Sequence, residues 1–156
     1  GYGDSHADIV FVGEAPGKDE DLQGLPFVGR SGKLLDKMLA SINLSREKVY
    51  ILNVLKCRPP DNRDPKTEEI DQCEPYLKKQ LLIIKPKLII TLGRISAMTL
   101  LKVKDSLMNL RNKIHKYEGI DLIATYHPAA LLRNPNFKKP TWEDFKLIKK
   151  EYIDGK

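Results

Sequence analysis

The stretch from Ile9 to Gly29, IVFVGEAPGKDEDLQGLPFVG, constrains this chain more than any other. Its first four residues, Ile9, Val10, Phe11 and Val12, are all apolar. An unbroken apolar run of this length is the pattern of a strand buried on both faces. The run stops at Gly13-Glu14-Ala15-Pro16-Gly17, where glycines permit close backbone approach and Pro16 fixes a bend. A second tight segment, Gly24-Leu25-Pro26-Phe27-Val28-Gly29, sets an aromatic ring between two glycines. A buried strand that ends in a glycine-rich bend is a common start for a ligand site, because sites in open α/β sheets lie at the carboxyl ends of the strands. An ordinary strand-to-helix loop has the same glycines. Glu14 and Phe27 tilt the reading toward a site, since neither residue type suits a mere connector.

Further strands are expected at Val49 to Leu55, Leu88 to Leu92, Ile114 to Tyr117 and Ile120 to Tyr126, the last two joined through Glu118-Gly119 as a hairpin. Leu34, Leu35, Met38, Leu39 and Ile42 recur at helical spacing, as do Ile70, Cys73, Leu77, Leu81 and Ile84. Pro75 should kink or split that second helix. Another helix is expected from Arg94 to Leu101, and a last one from Thr141, with Asp144 three residues on as a capping-box variant. Asp105 to Lys113 reads as irregular and polar. Strands alternating with helices predict an α/β fold whose sheet is parallel at its centre and covered on both faces. The 156 residues suffice for one domain with a real core, spanning 1–156. No apolar run approaches the roughly 20 residues of a membrane helix, and the start GYGDSHAD has neither the basic nor the apolar part of a signal peptide. A soluble, cytoplasmic protein is therefore expected, with no membrane partner and as a monomer.

The unusual residues fall at strand ends. Glu14 follows the first strand, Asn53 lies near the end of the second, Gly93 follows the third and His127 follows the last. In a parallel sheet these ends share one edge, so the residues converge on one crevice. The chain has no Ser-His-Asp pattern, no Walker lysine loop and no GxGxxG fingerprint. A phenylalanine ring suits stacking on a flat heterocycle. An asparagine amide offers both donors and an acceptor to a base edge, and a histidine can stabilise charge on a leaving group. Together they describe a nucleobase pocket, although Phe27 taken alone also reads as a core ring and His127 as a structural histidine. After His127 comes Pro128-Ala129-Ala130-Leu131-Leu132-Arg133-Asn134-Pro135. A rigid loop carrying Leu131, Leu132 and Arg133 beside such a pocket suggests a wedge into DNA; the same leucines also fit the start of a short core helix. Lys138, Lys139 and Lys146 would lie nearby, as phosphate contacts or as solvated charges. The net charge of +6, from 27 basic and 21 acidic residues, suits a polyanion partner only weakly.

Four segments, GEAPG at Gly13 to Gly17, GLPFVGRSGKLLDKML at Gly24 to Leu39, NVLKCRPP at Asn53 to Pro60 and HPAALLRNP at His127 to Pro135, carry a resemblance in order and spacing. The chain resembles a family 4 uracil-DNA glycosylase, the iron–sulfur branch of the uracil-DNA glycosylase superfamily. The resemblance implies a three-layer sandwich with a central, mainly parallel four-stranded sheet. It implies a base excision repair enzyme that hydrolyses the bond between uracil N1 and deoxyribose C1′, acting on single- or double-stranded DNA containing uracil and leaving an abasic site. Glu14, Ala15, Pro16 and Gly17 then match the motif that wraps the base and the reacting sugar, and Glu20 a second acidic position. Phe27 matches the ring that stacks on uracil, Asn53 the amide that reads its N3–H and O4 edge, and His127 the donor to O2. Some superfamily members have an aspartate where this chain has Ala15, which makes Glu14 a candidate to activate the water, or leaves the site reliant on positioning.

The same resemblance implies a [4Fe–4S] cluster on four cysteines. Cys57 and Cys73 match its second pair as metal ligands. The first pair, an N-terminal CxxC, is not in this chain, and the expectation is that it lies upstream of Gly1. Two other readings stay open: a DNA-binding or damage-sensing module with weakened catalysis, and a glycosylase for another deaminated base.

Overall fold

The computed structural model describes residues 1–14, 22–23, 27–54 and 67–155, the side chains of 67–72 excepted. In chain order the elements are strands β1 (Tyr2–Gly3) and β2 (Ile9–Gly13), helix α1 (Arg30–Ser41), β3 (Tyr50–Asn53), α2 (Thr67–Ile84), β4 (Leu88–Leu92), α3 (Arg94–Leu101), α4 (Leu107–Leu110), β5 (His115–Tyr117), β6 (Ile120–Thr125), α5 (Pro128–Arg133) and α6 (Lys138–Ile148). A short 3-10 turn, Pro135–Phe137, joins the last two helices, and a π-helical turn, Lys149–Ile153, extends α6.

The strands form one sheet in the order β1-β3-β2-β4-β6-β5. Its centre, β3-β2-β4-β6, is parallel. The expected four-stranded sheet is thus the middle of a six-stranded one. Of its two short antiparallel edges, β5 is the expected hairpin partner of β6, whereas β1 is unexpected, since Tyr2–Gly3 carries no apolar signal. Every residue of β2 and β4 is buried, as the uninterrupted apolar runs predict. On one face, Leu35 and Leu39 of α1 and Phe145 and Ile148 of α6 pack on Phe11, Ile51, Ile90 and Ile123. On the other, Leu77, Leu81 and Ile84 of α2 and Leu100 of α3 cover Val10, Val12, Leu52, Ile89 and Leu122. Helices on both faces of a parallel sheet make the expected three layers. Among the described residues, no helix is long and apolar enough to cross a membrane.

Three local expectations are corrected. α2 runs unbroken past Pro75, whose ring lies on the exposed face. The Asp105 to Lys113 segment contains α4, capped by Ser106 Oγ, which accepts from Asn109 N at 3.2 Å. The last helix begins at Lys138, one turn before Thr141, because the Asn134-capped 3-10 turn leads straight into it. Thr141 Oγ1 instead donates to the Phe137 carbonyl at 2.8 Å, and Asp144 points inward.

The C-terminal turn is tied to the sheet by Tyr152, whose hydroxyl donates to Asp121 Oδ2 at 3.0 Å. Burial, then the bond and charge of Asp121, push the Tyr152 hydroxyl up to about 12. The folded state holds this proton more tightly than the unfolded chain does. Its contribution to stability is therefore intact below the ordinary tyrosine value of 10.0 and is lost as pH rises toward about 12. Tyr152→Phe should remove that part of the alkaline decline, read as a smaller drop in urea midpoint across this range than in the parent protein. Identical declines would contradict the assignment.

Candidate active site

The chain passes from β2 outward to β3, then crosses back over β2 to reach β4. The direction of winding therefore reverses between β2 and β4. At such a switch point the connections at the carboxyl ends part and leave a crevice. The expected residues gather at this edge. Gly13 ends β2 and pairs in register with Asn53, which ends β3. Glu14 follows Gly13 and is half-buried. Gly93 follows β4 and donates its N–H to the Thr125 carbonyl at 2.8 Å, next to the bend that carries His127.

Gly13 permits a close approach at the end of β2. A Cβ there would overlap Asn53 Oδ1 and would stand 2.6 Å from Phe27 Cζ. Absence of a side chain is thus what lets an amide and an aromatic ring meet over the end of β2. The Phe27 and His127 rings lie next to one another, centroids 5.2 Å apart and tilted by 31°. Gly93 makes similar room, since a Cβ on it would be 3.3 Å from that of His127. Phe27, Asn53 and His127 therefore form one cluster, with Phe27 4% and Asn53 8% exposed.

Phe27 is held in the left-handed region, φ 52°, a conformation that disfavours a bulky side chain. Its carbonyl accepts a hydrogen bond from Arg46 Nη2, which also donates to the Gly32 carbonyl at 3.2 Å, while Nε of the same guanidinium pairs with Asp36. Arg46 thus fastens the Phe27 turn to the start of α1. Gly32 must lack a side chain, because a Cβ would overlap the Phe27 carbonyl. Nothing in the local sequence marks Arg46 for this task, as its partners lie 14 and 19 residues earlier.

His127 is the N-cap of α5, and its Nδ1 accepts from Ala129 N at 3.0 Å. A ring nitrogen that accepts carries no proton, so the neutral imidazole has its N–H at Nε2. The cap therefore sets the tautomer and leaves Nε2–H as the donor. Pro128, in the first turn of α5, fits a position that needs no N–H.

The residues before His127 are anchored by a buried ion pair. Arg111 donates from Nε and Nη2 to the two carboxylate oxygens of Asp144, both at 2.9 Å, and from Nη2 to the Pro140 carbonyl at 2.9 Å. Thr125, two residues before His127, donates its hydroxyl to Asp144 Oδ2 at 2.5 Å. Tyr126 lies under the Arg111 guanidinium at 5.4 Å and stacks on Phe137 with centroids 4.4 Å apart. Burial pushes the Asp144 carboxyl up, against the pull of its donors Arg111 and Thr125. Burial also works against the Arg111 charge, but the bond and charge of Asp144 outweigh it and hold the guanidinium protonated. The pair fixes the end of α4 against α6, and the Thr125 bond ties the end of β6 to the same carboxylate.

Two other expectations divide. Leu131 is 3% exposed, so it cannot be a free wedge: α5 turns it inward, where the helix packs against α1. Leu132 and Arg133 are exposed and remain available. Ala15, Pro16, Gly17, Glu20 and Cys57 lie outside the described residues. Cys73 sits half-buried in α2. Among the described residues, no group of three or more His, Cys, Asp or Glu side chains is arranged to hold a metal ion. Residues 1–156 hold two cysteines, half of what a [4Fe–4S] cluster takes.

Gly13→Ala should destabilise the protein by about 1–3 kcal/mol through overpacking against Phe27 and Asn53. Asp144→Asn should cost about 3–5 kcal/mol by leaving Arg111 buried without its counter-charge. Urea titrations check both, and an unmoved midpoint for either variant would refute the corresponding contact.

The sequence profile of the Uracil DNA glycosylase superfamily matches residues 1–146. The chain is 50% identical over 156 residues to a type-4 uracil-DNA glycosylase of Archaeoglobus fulgidus, covering 95% of this chain and 78% of that protein. It is 48% identical over 165 aligned positions to a type-4 uracil-DNA glycosylase of Sulfurisphaera tokodaii, covering 100% of this chain and 75% of the relative. A type-5 uracil-DNA glycosylase of Pyrobaculum aerophilum stands further off, at 29% identity over 83% of this chain and 65% of its own length. With its strand-end cluster in place and these relatives beside it, the chain belongs to the uracil-DNA glycosylase superfamily, and within it to the type-4 group.

Proposed function

We propose that this chain excises uracil from DNA by hydrolysing the N-glycosidic bond of deoxyuridine. The observation that carries the reading is the cluster of Asn53, Phe27 and His127 around Gly13, with the His127 proton fixed at Nε2. The type-4 relatives are named for this activity. A base flipped out of the strand enters the crevice. Phe27 supplies a flat apolar wall beside it, and the Asn53 amide reads the N3–H and O4 edge through one acceptor and one donor. As the C1′–N1 bond breaks, its electron pair passes into the uracil ring and negative charge builds on O2. The His127 Nε2–H donates to that oxygen, a preorganised dipole of the kind that supplies much of the rate in such reactions. Glu14, half-buried at the end of β2, faces the opposite need: a carboxylate that favours positive charge on the sugar and orients the attacking water. Water adds its oxygen to C1′ and loses one proton to the solvent or to Glu14, while the departed uracil anion takes up one proton from solvent. The products are uracil and an abasic deoxyribose.

The wedge role narrows to Leu132 and Arg133, the exposed members of α5. Ala15, Pro16, Gly17 and Glu20 are proposed to complete the wall around base and sugar. Cys57 and Cys73 are proposed as two of the ligands in any cluster, and no step above passes through it. The protein is proposed to act as a monomer on DNA inside the cell.

A uracil-containing oligonucleotide treated with the protein should become alkali-labile at the uracil. His127→Ala should slow release by about 10²–10³-fold, the effect of removing one donor from a developing oxyanion. Asn53→Ala should lower it as well, each variant keeping the parent circular dichroism spectrum. No uracil release by the parent protein would overturn the function, and unchanged rates in the variants would overturn the roles.

A further inference from the structure

We propose that the outward face of α6, together with Arg133, is a track for single-stranded DNA on which Trp142 stacks an unpaired base. This rests on the proposed function and names the state of the strand beside the site.

The inner face of α6 is fully used: Thr141, Asp144, Phe145 and Ile148 are buried. Trp142 is not needed there and stands 43% exposed on the other side. Positions 138, 142 and 146 recur at helical spacing and share that face. Lys138 and Lys146 are both exposed, as are Lys139, Lys150 and Arg133. The Lys146 ammonium lies 5.8 Å from the centre of the indole ring, a cation–π contact. Lys149 is engaged by Asp154 at 2.8 Å and is not counted. The acidic residues within α6 are Glu143 and Asp144, and Asp144 is neutralised by Arg111 in the interior. Glu143 is exposed but outnumbered by Lys138, Lys139 and Lys146, so the outward side of α6 is a net positive strip with one aromatic plate in its middle.

That composition fits alternating phosphates and bases. Cations alone would serve any polyanion, but an exposed indole among them matches a base face, and in a duplex those faces are covered by neighbours. Only an unpaired base can lie on Trp142 while its phosphates meet the lysines. The strip also joins the site directly. α5, which His127 caps and which ends in Arg133, leads through the Pro135–Phe137 turn straight into α6. A strand whose uracil occupies the crevice would continue along α6.

Trp142 is the only tryptophan of the chain, so intrinsic fluorescence reads this residue alone. A labelled, uracil-free single-stranded oligonucleotide should bind by anisotropy and quench that emission in parallel. The matching duplex, and a base-free abasic polymer of the same length, should bind with little quenching. Trp142→Ala should weaken single-strand binding about tenfold, within the range for loss of one stacked base, and Trp142→Phe should recover part of it. Lys139→Gln and Lys146→Gln should each lower the slope of log affinity against log salt by about one. Lys79→Gln, an exposed lysine on the helix that covers the opposite face of the sheet, should not. Binding without quenching, equal quenching by the abasic polymer, no binding at all, unchanged affinity in Trp142→Ala, or an equal salt effect in Lys79→Gln would each overturn the proposal. Uracil release is measured separately. Release without quenching would remove only this track, and quenching without release would remove only the glycosylase reading.

Discussion

Strand β2 has no face toward solvent, and the rest of the molecule is arranged by that constraint. Its five residues are buried between β3 and β4 in the sheet and between helices above and below. A strand enclosed on all sides can meet the outside only at its ends. Because β3, β4 and β6 run parallel to it, their carboxyl ends emerge on the same edge. The reversal of winding at β2 then opens that edge into a crevice. Gly13 is the last residue before the crevice, and its missing side chain is the space into which Asn53 and Phe27 fit. Burial of one strand and absence of one side chain thus account for where the site is and why its walls are close.

The surrounding structure holds these walls still. Arg46 fixes the carbonyl of a strained Phe27. The helix cap fixes the His127 ring and its tautomer. The buried Arg111–Asp144 pair, with Thr125, fixes the strand end that delivers His127. A buried ion pair adds little net stability over a well-packed apolar cluster, because both ions lose their hydration. What it supplies is direction, since the bidentate geometry admits one relative placement of Arg111, at the end of α4, and α6, and Thr125 ties β6 to the same carboxylate. Chemistry that stabilises charge on a departing base depends on donors that do not need to reorganise, and each of these contacts removes a way for one to move.

Local pattern located most elements and all four strand-end residues, because apolar period and glycine punctuation are properties of neighbours in sequence. The α3 boundaries follow from the apolar run and Gly93, and the β5–β6 hairpin from Glu118-Gly119. Other features were not legible. Arg111 and Asp144 lie 33 residues apart, and no spacing rule connects them. Asp144 looked like a cap because it follows Thr141 by three residues, yet the helix starts a turn earlier and turns it into the core. Leu131 and Leu132 are equivalent in sequence; the phase of α5, set by His127 and by packing on α1, buries the first and exposes the second.

The sequence by itself determined a parallel α/β sheet and the gathering of Glu14, Asn53, Gly93 and His127 at the carboxyl ends of its strands. These are consequences of residue type and short-range order. Only the tertiary structure decided which nitrogen of His127 donates, what holds Phe27 in place, and which leucine and which lysines face outward. Each of those depends on a contact between segments distant in the chain, and such contacts exist only once the layers have packed.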